Sequence, residues 1–189
     1  LVVIDDRSTD GTAALVQRHA ASDSRIRLVR GPGRGVSAAR NVGLAHARGR
    51  WIGMLDADDI ACPNRLEMQV RFLEADPEVA GVASRAFLFV MTGKPIGLSE
   101  VTRPIDRAEL AAVRRSGELL VHCHSAVMWR AEKLSALGGF DERFHQAEDT
   151  ELINRAVHLR GWTFLLMPRP VVWYRLTTTG LSMRGLRLQ

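Results

Sequence analysis

The sequence predicts an α/β fold with a mostly parallel central sheet and flanking helices, and three observations carry that expectation. Apolar, β-branched or aromatic runs alternate with helix-period segments as far as residue 91. Two of those runs, Leu1-Val2-Val3-Ile4 and Trp51-Ile52-Gly53-Met54-Leu55, end in aspartates, and ligands of open parallel sheets gather beyond the carboxyl ends of strands. No internal repeat, low-complexity tract or linker divides the 189 residues.

Taken in order, residues 1–4 read as a buried strand, so the chain opens inside a sheet without an initiator Met, as a piece of a longer protein does. Ser8-Thr9-Asp10-Gly11-Thr12 reads as turn and cap for an amphipathic helix through Leu15, Val16 and His19. Residues 25–29 alternate charged and apolar as a half-exposed strand does, and Gly31-Pro32-Gly33-Arg34-Gly35 is a flexible loop. Ser37 is placed to cap a helix over 38–47. Residues 51–55 form a buried strand, and Pro63 starts a helix over 64–75 with Leu66, Val70 and Leu73 on one face. Residues 79–91 read as strand and 92–107 as loop-rich. Beyond them come a helix over 107–115, an apolar stretch at 125–129 and a helix stopped by Gly138-Gly139. A helix over 149–160 follows, with Leu152, Ala156 and Leu159 on one side and Gly161 as its stop, then strands at 163–167 and 171–175.

A composition of 46% hydrophobic and 25% charged residues is that of an ordinary globular domain, long enough to bury a core, and excludes disordered and fibrous classes. The longest apolar stretch, 79–91, is interrupted by Ser84 and Arg85 and is too short for a membrane span, so the chain reads as soluble and cytoplasmic. Cys62 and Cys123 are too few for a disulfide framework and fit a reducing compartment. The net charge of +5 rests on arginine, with Lys94 and Lys133 the only lysines. Arginine suits phosphate ligands, and the basic balance permits docking at the anionic inner face of a membrane. Nucleic acid is set aside as a partner because the arginines are scattered and a single tyrosine is present.

The chemistry concentrates in carboxylates. Asp5-Asp6 and Asp56-Ala57-Asp58-Asp59 end two strands and are expected to face one crevice, where their mutual repulsion calls for a hard divalent cation, Mg²⁺ or Mn²⁺. Glu148-Asp149 opens a helix, whose N-terminal dipole favours an ionised carboxylate; a general base and a plain helix-start acid fit Asp149 equally well on spacing alone. His122 and His124 would suit zinc, but on a strand Cys123 between them points to the other side, so no metal is assigned there.

Two other readings of the aspartates fail. A phosphorelay receiver would pair Asp5-Asp6 and Asp56 with Lys94-Pro95, yet only one helix and one strand fit between Asp56 and Lys94, one helix and one strand too few. A phosphatase of the haloacid dehalogenase type is approached by Ser8-Thr9-Asp10-Gly11-Thr12, but Ser8 stands at the nucleophile position and cannot form an aspartyl phosphate.

Five segments in order account for most of the chain: Val3-Ile4-Asp5-Asp6-Arg7-Ser8-Thr9-Asp10-Gly11-Thr12, Gly35-Val36-Ser37-Ala38-Ala39-Arg40-Asn41-Val42-Gly43, Leu55-Asp56-Ala57-Asp58-Asp59, Gly138-Gly139-Phe140-Asp141-Glu142 and Glu148-Asp149. In order and spacing this set resembles the family 2 glycosyltransferases over residues 1 to about 175, with the first strand of that family missing. The resemblance implies the glycosyltransferase A-type fold of nucleotide-diphospho-sugar transferases, in one domain whose residues 1–91 bind the nucleotide sugar and whose residues 92–189 face the acceptor. It implies metal-dependent, inverting transfer from a nucleotide-diphosphate sugar, usually a UDP-sugar, to a saccharide or lipid-linked hydroxyl in surface polysaccharide or glycoconjugate synthesis.

Residue by residue, the resemblance assigns Asp6, with Asp5 beside it, to the base of the nucleotide, Arg40 to a further nucleotide contact, and Asp56 to the ribose or the metal's water shell. Asp58 would ligate Mn²⁺ or Mg²⁺, Asp59 would cap the next turn, Asp149 would deprotonate the acceptor hydroxyl and Glu148 would support it. The segment from His122 to Arg130 resembles the stretch bordering the acceptor, which brings in His124 and Arg130. Three departures stand out: the absent first strand, Arg7 where glycine is usual, and threonines after Arg175 where a histidine is frequent. A nucleotide-sugar-binding module without turnover is the alternative that the missing strand leaves open.

Overall fold

The computed structural model describes residues 1–90, 92–98 and 105–177. Contacts among them fall into two units, 1–49 with 138–148, and 50–137 with the chain from 149 onward. Among the described residues no helix is long and apolar enough to cross a membrane.

In the first unit the β-branched run makes β1 (Val2–Asp5), which pairs in parallel with β2 (Arg27–Arg30), Ile4 opposite Val29. The crossover between them is α1 (Thr12–Ser22), and α2 (Val36–His46), with Ala38 and Ala39 buried, packs on β1, Gly43 lying against Ile4. β1 is half-buried rather than buried. Neither helix has the expected side-chain cap. Asp10 instead folds a turn by accepting from the Thr12 N–H at 2.9 Å, and the Ser37 hydroxyl donates to the Phe144 carbonyl at 2.6 Å. The segment 138–148 is held by Asn41, whose Nδ2 donates to the Phe140 carbonyl at 2.9 Å while its Oδ1 accepts from the Phe140 N–H at 2.8 Å.

The second unit contains two four-stranded sheets. One has the order β3 (Trp51–Gly53), β8 (Met128–Arg130), β5 (Val79–Ser84), β9 (Thr163–Met167). The other has the order β4 (Ile60–Ala61), β10 (Val172–Leu176), β6 (Phe87–Val90), β7 (Pro95–Leu98). Among the described residues of this unit only β5 with β9 and β6 with β10 are parallel, so the sheets are mixed where the sequence pointed to a mostly parallel one. The α/β class holds, but the run read as one strand over 79–91 is β5 and β6, and the region read as loop contributes β7. Met91 and residues 99–104 of that region lie outside the described residues.

The core of this unit is apolar and close-packed: Trp129 and Phe164 lie 4.8 Å apart between ring centroids over Gly81, where a Cβ would sit 2.7 Å from Phe164 and 2.9 Å from Trp129. α3 (Arg65–Glu74) packs on β5, but its buried face is Arg65, Gln69 and Leu73, while Leu66 is 62% exposed. The reason is polar. The Arg65 guanidinium donates to the carbonyls of Met54 (2.5 Å) and Val127 (3.1 Å) and to Gln69 Oε1 (3.0 Å), and Gln69 donates to the Ala126 carbonyl at 2.7 Å. α4 (Arg107–Ser116) opens with a capping box between Asp106 and Glu109 and closes on left-handed Gly117; α5 (Ala131–Ala136) follows β8. α6 (Glu148–Asn154) continues into a π turn over Arg155–Leu159. That turn changes the angular step per residue, so Leu152 and Ala156 stay buried whereas Leu159, expected on the same side, is 79% exposed.

Candidate active site

In the first unit the end of β1 is folded back by its own aspartates. Asp5 Oδ1 accepts from the Ser8 N–H at 3.1 Å, closing the turn after β1. Asp6 Oδ1 accepts from the Gly33 N–H at 2.6 Å and lies against Gly31, where a Cβ would overlap that oxygen. Arg7, standing where the family pattern has glycine, adopts φ 67°, the left-handed region that glycine occupies without penalty. Its side chain runs over Gly33, itself at φ +70°, leaving no room there for a Cβ. Ala147 at φ 56° is the other non-glycine residue in this conformation among those described, and it immediately precedes Glu148. Strained backbone thus flanks two of the candidate site residues, Asp6 and Glu148, as it commonly does where structure serves a site.

Arg40 on α2 makes an ion pair with Glu148, whose side chain is 8% exposed, and its guanidinium also lies 5.5 Å from the centre of the Phe140 ring.

In the second unit, β3 delivers the acidic turn. The Met54 N–H donates to the Val127 carbonyl at 2.9 Å, and the Asp56 N–H to Ser125 Oγ at 2.9 Å. Asp59 is 9% exposed and accepts from the Arg175 N–H at 2.8 Å, while Arg175 Nε donates to the Asp58 carbonyl at 2.8 Å. The Arg175 guanidinium in turn lies 4.6 Å from the centre of the Phe89 ring. With its backbone fixed on β10 in this way, the turn leaves the Asp58 side chain exposed and Asp56 half-buried. Burial pushes the Asp59 carboxyl up to about 6; hydrogen bonds from Ser125 and Arg175 oppose this, and the charges of Asp58 and Asp56 add to it. Closely set hard-oxygen carboxylates whose charges oppose one another fit a divalent cation. The sequence alone offers Asp59 as a cap and gives Ser125 no role; the one signal for Arg175 is its place before the threonines that stand where the family often has a histidine, and of these Thr178 and Thr179 lie outside the described residues.

Asp149 lies on the first turn of α6. Its Oδ1 accepts from the Thr150 N–H at 2.7 Å, and its Oδ2 faces His122 Nε2 at 3.8 Å and His124 Nδ1 at 4.0 Å. The segment is not the strand expected: a 3₁₀ turn starts at His124, and the rings of His122 and His124 face the same carboxylate. Arg130, expected on the acceptor side, directs its guanidinium into the frame: to the carbonyls of Val79 (2.7 Å), Asp76 (3.0 Å) and Leu73, and over the Trp51 ring at 4.7 Å.

The sequence model of glycosyl transferase family 2 matches residues 1–138. EpsE of Bacillus subtilis is 34% identical over 159 residues, 80% of this chain and 54% of that protein. The UDP-Glc:alpha-D-GlcNAc-diphosphoundecaprenol beta-1,3-glucosyltransferase WfgD of Escherichia coli is 45% identical over 74 residues, 39% of this chain and 28% of that one. Among solved structures, the mannosyltransferase PcManGT of Pyrobaculum calidifontis in complex with GDP-Man and Mn²⁺ superposes with a TM-score of 0.70 at 25% identity, covering 99% of this chain and 50% of that one. The chain therefore spans about half or less of the length of these relatives, and its fold is that of the nucleotide-diphospho-sugar transferases. The family model, its span of 138 residues and the order of acidic motifs inside it lead to one assignment: the chain belongs to glycosyl transferase family 2.

Proposed function

We propose that this chain transfers a sugar, with inversion, from a nucleotide-diphosphate sugar, a UDP-sugar in the first instance, to a hydroxyl of a saccharide or lipid-linked acceptor in surface polysaccharide or glycoconjugate synthesis. The observation that carries the reading is the acidic turn fixed by Ser125 and Arg175, with the Asp58 carboxylate left exposed. WfgD, whose name specifies UDP-Glc and a diphosphoundecaprenol-linked acceptor, supports the donor and acceptor classes.

Cleavage of the anomeric C–O bond develops positive charge on the sugar ring and negative charge on the diphosphate. Asp58, with Asp56 beside it, holds the divalent ion, Mn²⁺ or Mg²⁺. When bound, that ion supplies charge neutralisation to the diphosphate leaving group. Asp6 accepts from the base of the nucleotide with its remaining lone pairs, and the Gly33 N–H bond at 2.6 Å sets the direction of that carboxylate. Asp149 takes the proton of the attacking hydroxyl on Oδ2, since Oδ1 is engaged by the Thr150 N–H. Glu148, paired with Arg40, is the neighbour of Asp149 in sequence and supports that base. The work belongs on the cytoplasmic side, where nucleotide sugars are held.

Nucleotide release from a panel of nucleotide sugars with Mn²⁺ and simple saccharide acceptors tests this. One donor is expected to be turned over by the unaltered chain, with Asp58→Ala removing the Mn²⁺ dependence and Asp149→Asn lowering kcat by about 10²–10⁴-fold. Release from no donor, or release unchanged by Asp58→Ala, would overturn the assignment.

A further inference from the structure

The geometry points to a second metal site, selective for a borderline transition metal such as Zn²⁺ and formed by His122, His124 and Asp149. One ligand atom from each of the three residues lies within 4.8 Å of the other two, and the imidazole nitrogens converge on a single oxygen, Asp149 Oδ2, at 3.8 and 4.0 Å. Both separations exceed hydrogen-bonding distance. A tetrahedral ion with bonds of about 2.1 Å holds its ligands about 3.4 Å apart, so the three donors enclose a space slightly wider than a bound Zn²⁺ requires. Small side-chain rotations close that difference.

Donor chemistry separates this site from the acidic turn. Two imidazoles and one carboxylate favour Zn²⁺, Co²⁺ or Ni²⁺ over the hard ions Mg²⁺ and Mn²⁺ that carboxylates alone select. Both histidines are buried, His122 at 9% and His124 at 7% exposure, whereas 20% of the Asp149 side chain is exposed and gives an ion a way in from solvent. With three protein ligands the fourth position stays open. The 3₁₀ turn that presents His124 is closed by the Ala126 N–H to the Cys123 carbonyl and the Val127 N–H to the His124 carbonyl, each at 3.0 Å, so the histidine backbone is set before any ion arrives.

Zn²⁺ held here would occupy the Oδ2 lone pair that the proposed reaction uses to receive a proton. The site is therefore inhibitory: Zn²⁺ arrests transfer by capturing the base, and a chelator restores it. This consequence rests on the reading of Asp149 as the base; binding of the ion does not.

Calorimetric titration of Zn²⁺ into the chain, in buffer free of Mn²⁺, tests the site directly. One equivalent is expected to bind to the unaltered protein and to Asp58→Ala alike. His124→Gln and His122→Gln, each checked for folding by its unfolding transition, are expected to weaken binding by more than about tenfold, since each removes one of three ligands. Thermal scans supply a second readout, with Zn²⁺ raising Tm in the unaltered protein and in Asp58→Ala but not in folded histidine variants. Zn²⁺ binding unaffected by both histidine substitutions, or abolished by Asp58→Ala, would overturn the proposal. Zn²⁺ binding without inhibition would leave the site standing and count instead against Asp149 as the base.

Discussion

Arg40 and Glu148 form an ion pair between α2 and the first residue of α6, with side chains only 17% and 8% exposed. Its removal from one side leaves a buried carboxylate without this counter-charge, and the cost of that exceeds the net worth of the pair. Arg40→Ala is expected to lower stability by about 3 kcal/mol. Combining it with Glu148→Gln is expected to return part of that loss, giving a coupling of about 1–3 kcal/mol in a double-mutant cycle read by urea unfolding. Additive single substitutions would show that the pair is surface-like in energy.

Asp58 and Asp59 are adjacent in sequence and opposite in environment. Asp58 is exposed, so Asp58→Ala is expected to leave metal-free stability within about 0.5 kcal/mol while abolishing any rise in Tm on adding Mn²⁺. Asp59→Ala removes the acceptor of the Arg175 N–H inside the fold and is expected to destabilise by about 1–3 kcal/mol even without metal. Thermal scans of both variants with and without Mn²⁺ decide the matter; equal losses would mean that the turn does not divide its carboxylates between ligand and brace.

How far these roles could be read from sequence depended on where each side chain finds its partner. β1, β9 and α4 follow from patterns of two to four residues and local caps, and they appear where those patterns put them. The inward face of α3 does not, because Arg65 and Gln69 are turned inward by carbonyls 11 to 62 residues away, and hydropathy alone assigns that face to Leu66. The acidic turn was legible as a cluster, but its anchor is Arg175, 117 residues beyond Asp58. Likewise the alternation rule set Cys123 apart from His122 and His124 and left the pair without a third ligand, because the carboxylate they face, Asp149, comes from a helix start far along the chain.

Arg7 carries a strain that its family position predicts. A left-handed L-residue costs about 1–2 kcal/mol, whereas glycine there loses about 0.5–1 kcal/mol through the freedom of the unfolded chain. Arg7→Gly is therefore expected to raise stability by up to about 1 kcal/mol. Gly33→Ala is expected to destabilise, through its own φ of +70° and through collision with the Arg7 side chain. Only the collision is relieved in the Arg7→Gly background, so urea unfolding should find the double variant less impaired than the sum of the singles but still below Arg7→Gly alone. Strict additivity would remove the contact from the explanation.

Cys123 illustrates the same local control over chemistry. Burial pushes its thiol up to about 12, with the charges of Asp59 and Asp56 contributing in the same direction. Only the thiolate reacts with alkylating reagents, so at pH 8 the folded chain should be modified at half-buried Cys62 well before Cys123. Because the folded-state value lies above the ordinary 9.0, the unfolded chain loses this proton first as pH rises, and the contribution of Cys123 to stability falls across the interval from 9 to about 12. Iodoacetamide labelling followed by mass spectrometry tests this. Cys123 should remain unlabelled in the native chain and react fully in urea, and rapid native labelling at pH 8 would show that the segment carrying His122 and His124 opens readily to solvent.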